Sequence, residues 1–482
     1  MNIRTSLILM LAVAGPVAAQ SFDASAWKGY KSFSVSETAG IARKQEPVDV
    51  KFSLPATGET PAAGLRVAEE VNGRWTEIPA QFYDVRADKE AVLSGRVAFY
   101  CSLPAGGVRA YRIYYGGPAD TQSHSTKLVV QGVGQGDPKE TRHWMIENAF
   151  YRMETYPSSG QIWHIWDKQG SNQMWWFKEW NGKEKGGDPV HWSPNVWVAY
   201  PDRARAEAGS SETKVLAQPF EWNYVVGWKT PKTEVVSGPI FFEVRRTGPV
   251  PRWPEHSDPA YPDQPKDIVW GEVTYRFYSE LPWIFQASTY VTLQDMDVYF
   301  IRNNQTAFDH ELFTHAAIRP ETSGLLAGDS DETCAFPLMS YFHRMPFDAS
   351  KPYDAFSNSQ HSLSNVLPSK LAFFTLFNMG NGDAYANFAL VEDNSTTDGH
   401  APTMRNHHMI LSEESGSDSF SRTFDYTNLR FNPENVTFLP KGQKFHEENV
   451  HLIYRYEGPD SLGMLERLHQ TFQHPLLVDW YP

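Results

Sequence analysis

Side chains able to move protons or hold an anion gather in the central and later parts of the chain. FDHELFTHAAIRPE carries His310, Glu311 and His315, and SYFHRMPFD carries Tyr341, His343 and Arg344. HAPTMRNHHMILSEE carries His400, Arg405, His407 and His408, followed by Glu413 and Glu414. Positioned imidazole and phenol groups pass protons in general acid–base chemistry, and a guanidinium grips a carboxylate with two parallel hydrogen bonds. Arg344 and Arg405 are therefore candidates for holding an anionic group. His315, Tyr341, His343 and His408 are candidates for taking and returning a proton. Spacing limits who can cooperate: in a strand Tyr341 and His343 share a face while Arg344 points away. His310 and His315 are five residues apart, on opposite sides of a helix and of a strand, so they lack the spacing of a helical zinc motif. A lone histidine is more often structural than catalytic, so the case rests on several such groups in one stretch.

A second group of residues suits stacking. NQMWWFKEWNGKEKGGDPVHWSPNVW sets Trp175, Trp176, Trp180 and Trp192 among Asn, Lys, Gly and Pro rather than in strand alternation. Indole faces pack against the C–H faces of sugar rings, which makes these four the substrate-binding candidates. Most of the tryptophans between 144 and 283 otherwise read as core or sandwich-edge packing. Two acidic, glycine-bearing loops, GDSDE (328–332) and GNGD (380–383), could hold Ca²⁺ through oxygen ligands, but neither is a full twelve-residue calcium loop and a solvated turn is the favoured reading. The proton chemistry itself requires no cofactor.

The elements that must position these groups are strands. The 482 residues are 41% hydrophobic and 21% charged, with 16 Trp, 22 Tyr and 29 Phe, and with 33 Gly and 33 Pro spread along the chain. That composition excludes wholesale disorder and predicts an all-β protein with few helices. A net charge of −14 excludes nucleic acid as a partner, because phosphate binding needs a basic footprint. Arg4, the apolar run Leu7–Val13 and the small residues Val17-Ala18-Ala19 before Gln20 read as a signal peptide over residues 1–19. No later apolar run reaches the length of a membrane span, so a secreted or periplasmic protein is expected. The two cysteines, Cys101 and Cys334, fall in different predicted domains, leaving an interdomain disulfide and two buried thiols both open; they exclude a thiolate metal cluster.

Short alternating runs such as VDVKFSLP and GRVAFYCSLPAGGVRAYRIYYGG, with hairpin turns at Asn72-Gly73 and Ala105-Gly106-Gly107, predict a small N-terminal β-domain over 20–118. Residues 20–45 read as a linker or first edge strand, and 119–140 as a polar, glycine-rich linker. Strands then recur through 141–482, predicting a large antiparallel sandwich. One helix is expected over DSLGMLERLHQTFQ, with Leu462, Met464, Leu465, Leu468 and Phe472 as its apolar stripe and Asp460 or Ser461 as its cap.

The stretch NAFYRMETYPSSGQIWHIWDKQG (148–170) resembles the opening hairpin of galactose-mutarotase-like supersandwich domains. The N-terminal runs resemble the small RIFT-barrel domain that precedes such sandwiches. The pair is similar to exported exo-acting rhamnogalacturonan lyases, which continue into a helical toroid, whereas this chain ends soon after one helix. No toroid residue is carried over. The resemblance implies a polysaccharide or oligosaccharide substrate and an elimination on a uronate-containing glycan: Arg or a cation neutralises the carboxylate, and His or Tyr removes and returns protons. The alternative is a glycoside hydrolase with paired carboxylates drawn from Asp295, Asp297, Asp309, Glu311, Glu413 and Glu414. An epimerase could be drawn from His315 and Glu413. A non-catalytic glycan-binding protein is the third reading, and a fold resemblance alone does not choose among them.

Overall fold

A computed structural model of the chain describes residues 23–55, 64–87, 92–118, 124–132, 143–155, 160–175, 196–200, 221–224, 231–250, 269–309, 312–320, 336–337, 371–393, 409–412, 417–424 and 437–481. The signal-peptide expectation lies outside these residues. In chain order the strands are β1 (Gly29–Ser36), β2 (Arg43–Pro55), β3 (Arg66–Val71), β4 (Arg74–Ile78), β5 (Ala80–Ala87), β6 (Val92–Leu103) and β7 (Val108–Tyr115). There follow β8 (Val129–Gly132), β9 (Trp144–Glu147), β10 (Tyr151–Thr155), β11 (Ile162–Asp167), β12 (Met174–Trp175), β13 (Val196–Tyr200), β14 (Glu221–Tyr224), β15 (Lys232–Ser237) and β16 (Phe241–Pro249). Next come β17 (Val269–Tyr278), β18 (Trp283–Thr292), β19 (Met296–Asp309), β20 (His315–Pro320), β21 (Phe336–Pro337), β22 (Leu371–Phe377) and β23 (Asp383–Asp393). The last are β24 (Met409–Ser412), β25 (Ser417–Phe424), β26 (Thr437–Leu439), β27 (Lys444–Arg455), helix α1 (Pro459–Gln473) and β28 (Leu477–Trp480). The protein is all-β, as expected. It divides into two compact units, Met1–His124 with Leu476–Pro482, and Ser125–Pro475.

The first unit holds a five-stranded sheet, β28-β1-β7-β3-β4, and a three-stranded one, β2-β6-β5. Alternation along β2 buries Val48, Val50, Phe52 and Leu54 in its core and leaves Lys51 and Ser53 exposed. Asn72 and Gly73 both adopt positive φ (53° and 76°) between β3 and β4, the backbone that a two-residue hairpin turn requires. β1 is neither linker nor edge. It lies between β7 and β28, because the C-terminal residues 477–480 return to this unit, where Trp480 packs 5.0 Å from Phe33. Cys101 is a buried free thiol that accepts a hydrogen bond from the Tyr111 hydroxyl, and burial pushes its pKa up to about 11.

The second unit contains a nine-stranded sheet (β15-β16-β17-β18-β27-β23-β22-β20-β21), a five-stranded sheet (β12-β11-β10-β9-β8) and a six-stranded sheet built on β14-β13-β19-β25-β24, with β26 beside β19. β8 lies within the stretch read as a linker. Helix α1 covers one face of the nine-stranded sheet: it buries Leu462, Leu465 and His469, and Phe472 meets Trp283 and Phe388 edge-on. Its cap differs from expectation. Pro459 opens the helix with Gly458 at the N-cap, a first position where a missing N–H costs nothing, and the Ser461 hydroxyl instead accepts the Glu457 N–H. Among the described residues no helix is long and apolar enough to cross a membrane.

Candidate functional site

Side chains alternate across a strand, so the register of the nine-stranded sheet fixes which residues share a face. The face carrying Trp283, Leu452, Phe388 and Phe373 is apolar where it meets α1. The opposite face carries a band of polar residues through the middle of five adjacent strands. Arg246 comes from β16, Tyr275 from β17, and Gln286, Ser288 and Tyr290 from β18; β27 adds Glu447, Asn449 and His451, and β23 adds Tyr385 and Asn387. Each of these side chains belongs to a residue no more than 1% exposed. Phe242, Phe277 and Ile284 flank the band on the same face.

One end of the band is cationic and phenolic. The Arg246 guanidinium lies 5.2 Å from the Tyr275 ring centroid. Burial pulls its pKa below the usual value, while Tyr275 and Tyr290 oppose that shift. Burial, and then Tyr275, hold the Tyr290 phenol well above the usual range; Arg246 acts the other way, and Glu447 adds to the rise. Glu447 accepts a hydrogen bond from Asn449 Nδ2 at 3.3 Å.

The other end is organised around His451. Its Nδ1 faces Tyr385 Oη at 2.8 Å and Asn387 Nδ2 at 3.1 Å, and its Nε2 faces Gln286 Oε1 at 2.5 Å. An amide nitrogen can only donate, so Nδ1 is an acceptor and the ring proton sits on Nε2, which donates to Gln286. Both ring nitrogens are thereby occupied. Among the described residues, Gln286 Nε2 and Ser288 Oγ have no hydrogen-bond partner, although buried polar atoms ordinarily have one.

Two of the candidates from sequence, His315 and Trp175, are among the described residues, and both lie outside the band. His315 opens β20 on the opposite face, stacked on Phe377 at 5.6 Å and bonded through Nδ1 to the Thr314 hydroxyl; burial lowers its pKa. Trp175 is a core residue instead of a stacking platform. It is fully buried, set edge-on against Phe313 at 5.3 Å, with its Nε1–H directed at Asp383 Oδ2 at 3.4 Å, so no indole face is offered to a ligand. Asp295 accepts the Lys441 N–H, and Asp297 and Asp309 lie in β19. Tyr341, His343, Arg344, Arg405, His408, Trp176, Trp180 and Trp192 lie outside the described residues, as do Glu311, Glu413, Glu414 and the 328–332 loop.

The 380–383 loop is exposed at Gly380, as expected of a solvated turn, but closes on a buried carboxylate. Asp383 is buried and accepts from Ser171 N–H and Ser171 Oγ, both at 2.6 Å, and from Asn381 Nδ2 at 3.2 Å. Beside it, Asp167 Oδ2 is buried without a hydrogen-bond partner among the described residues. Both carboxylates converge on Gly170: a Cβ there would lie 2.1 Å from Asp383 Oδ1 and 2.5 Å from Asp167 Oδ2. Among the described residues no group of three or more His, Cys, Asp or Glu could hold a metal ion. On the five-stranded sheet, Glu154 joins His143 (2.6 Å) and His164 (2.8 Å); Trp163 stacks on His164, and Arg152 lies over Trp166.

The polar band was not singled out from sequence because each strand contributes only a short alternating phrase: Gln-x-Ser-x-Tyr in β18, Glu-x-Asn-x-His in β27, Tyr-x-Asn in β23. Such phrases read as a solvent-facing strand surface. Their recurrence in neighbouring strands is visible only once register is known.

No family model matches the chain, and no curated protein matches it. Solved structures that align with it include an alpha-mannosidase from Enterococcus faecalis V583, at 12% identity over 96% of this chain and 47% of that one, with a TM-score of 0.48. A glycosyl hydrolase family 38 protein from Enterococcus faecalis aligns at 11% identity over 96% and 49%, also with a TM-score of 0.48. A protein proposed as an aldose 1-epimerase from Klebsiella pneumoniae aligns at 9% identity over 71% and 87%, with a TM-score of 0.35. The chain spans about half the length of the first two. At these scores and identities the likenesses assign no reaction to it.

Proposed function

We propose that the chain is a carbohydrate-active enzyme whose glycan substrate is bound at the polar face of the nine-stranded sheet. The observation that supports this reading is the band itself. A sheet face in a protein interior is ordinarily apolar, since burying polar groups is costly unless they are satisfied. Here amide, hydroxyl, guanidinium, carboxylate and imidazole groups are buried side by side, the inventory that a ring of hydroxyl groups calls for.

Two bond-cleaving chemistries suit this composition. In elimination, Arg246 would neutralise a uronate carboxylate, and the protonated Tyr290 phenol would supply the proton to the leaving glycosidic oxygen. Tyr341, His343, Arg344, Arg405 and His408 remain proposed participants. In hydrolysis, Glu447, the one carboxylate of the band among the described residues, would be one of the two acids the reaction requires. The test is incubation of the full chain with neutral and uronate-containing polysaccharides, reading new reducing ends and the ultraviolet absorbance of a conjugated enoate. Ends with the enoate support elimination, and ends without it support hydrolysis. Binding without new ends would leave a glycan-binding protein, and neither cleavage nor binding would overturn the proposal.

A further inference from the structure

We propose that Gln286 and Ser288 form a hydroxyl-recognising pair for one edge of a pyranose ring, with His451 as the positioning residue that aims the Gln286 amide. This rests on the carbohydrate reading and names the group that the middle of the band would take. The two residues are 0% and 1% exposed, and Gln286 Nε2 and Ser288 Oγ have no hydrogen-bond partner among the described residues. They are two apart on β18, so they lie on one face with Cα atoms about 7 Å apart. Their cross-strand neighbours on β27 are Asn449 and Glu447.

The Gln286 amide is not at liberty to turn its donor elsewhere. Its Oε1 receives the His451 Nε2 proton at 2.5 Å, and the imidazole is held by Tyr385 Oη and Asn387 Nδ2 at Nδ1. Turning the amide over would set its N–H against the ring N–H, two donors face to face. With the Asn387 and Gln286 amides placed as they are, the network directs the Gln286 Nε2 donor away from His451, and Ser288 adds a hydroxyl that can donate or accept. A neutral donor beside a neutral donor–acceptor matches neighbouring sugar hydroxyls, which also do both. A carboxylate substituent would find its counter-charge at the Arg246 end instead. A site built to bond a hydroxyl rejects an analogue that lacks it far more strongly than an apolar pocket can reject an added group.

The experiment uses the folded full chain on an array of immobilised neutral and uronate-containing oligosaccharides, followed by calorimetric titration with the oligosaccharide retained most strongly. Gln286→Leu and Ser288→Ala should each weaken that binding at least about tenfold, equivalent to about 1.4 kcal/mol. Their melting temperatures should stay level or rise, because each removes a buried polar group without a partner. His451→Phe should lose as much affinity as Gln286→Leu, and the double variant no more than either, since the histidine acts through the amide. Ser288→Ala removes a single atom and reports on the pair even where a larger change disturbs packing. Wild-type binding that both Gln286→Leu and Ser288→Ala retain in full would overturn the pair while leaving the carbohydrate reading intact. A wild-type chain that neither binds nor cleaves any glycan would overturn both.

Discussion

Asp167 shows how a residue chosen for position can carry a stability cost. Burial pushes its carboxyl up to about 7 from 3.8; the Gln169 and Gly170 N–H groups and Arg455 hold it down, and the Asp383 charge adds to the rise. A raised carboxyl pKa means that the folded state binds the proton more tightly than the unfolded chain does. The stabilisation from that proton is therefore complete below about pH 4, declines as pH rises, and is gone above about pH 7. The full span corresponds to up to about 4 kcal/mol. Asp167→Asn should remove this slope: in thermal melts, the variant should gain on the wild type between about pH 4 and pH 7 and no further above it. Parallel melting curves across that range would contradict the assignment. At the same turn, Gly170→Ala would set a methyl against two carboxylates, one of them already fixed by Ser171 and Asn381. It should lower the denaturation midpoint by an amount equivalent to about 2 kcal/mol or more, measured in urea.

Elements differ in how far the sequence declares them. β2 alternates cleanly from Val48 to Leu54 and is legible outright, as is the Asn72-Gly73 turn, where two positive φ values leave few residues to choose from. Helix α1 was legible from its stripe, but not its cap, because Pro459 starts it before either side chain read as a cap. β28 was not legible as part of the N-terminal unit: a four-residue strand carries no record of its partner, and pairing with β1 joins residues at opposite ends of the chain. The candidate site suffered the same limit. His, Arg and Tyr close together in sequence draw attention, while the buried band is assembled from five strands spread between Phe241 and Arg455. The pairing has a direct test. Deleting 476–482 exposes the hydrogen-bonding edge of β1 and removes Trp480 from Phe33. The truncated chain should show faster amide exchange in β1 and a lower melting temperature; exchange at the wild-type rate would contradict the pairing.

For the molecule as a whole, the opening residues and the acidic balance make further demands. If residues 1–19 are an export signal, protein recovered from outside the cytoplasm should begin at Gln20 by N-terminal sequencing; a retained Met1 would contradict that reading. A net charge of −14 disfavours a polyanion at long range, so an acidic glycan would need a local cation, and Arg246 supplies one within the band. The most direct test of the account is the rate of reducing-end release from the panel of glycans by the wild type and by Arg246→Met and Glu447→Gln, each confirmed folded by its melting curve. The account predicts cleavage of at least one glycan by the wild type, with a loss of about a hundredfold or more in Arg246→Met where the product carries the enoate and in Glu447→Gln where it does not. Cleavage that both variants retain at the wild-type rate would contradict it.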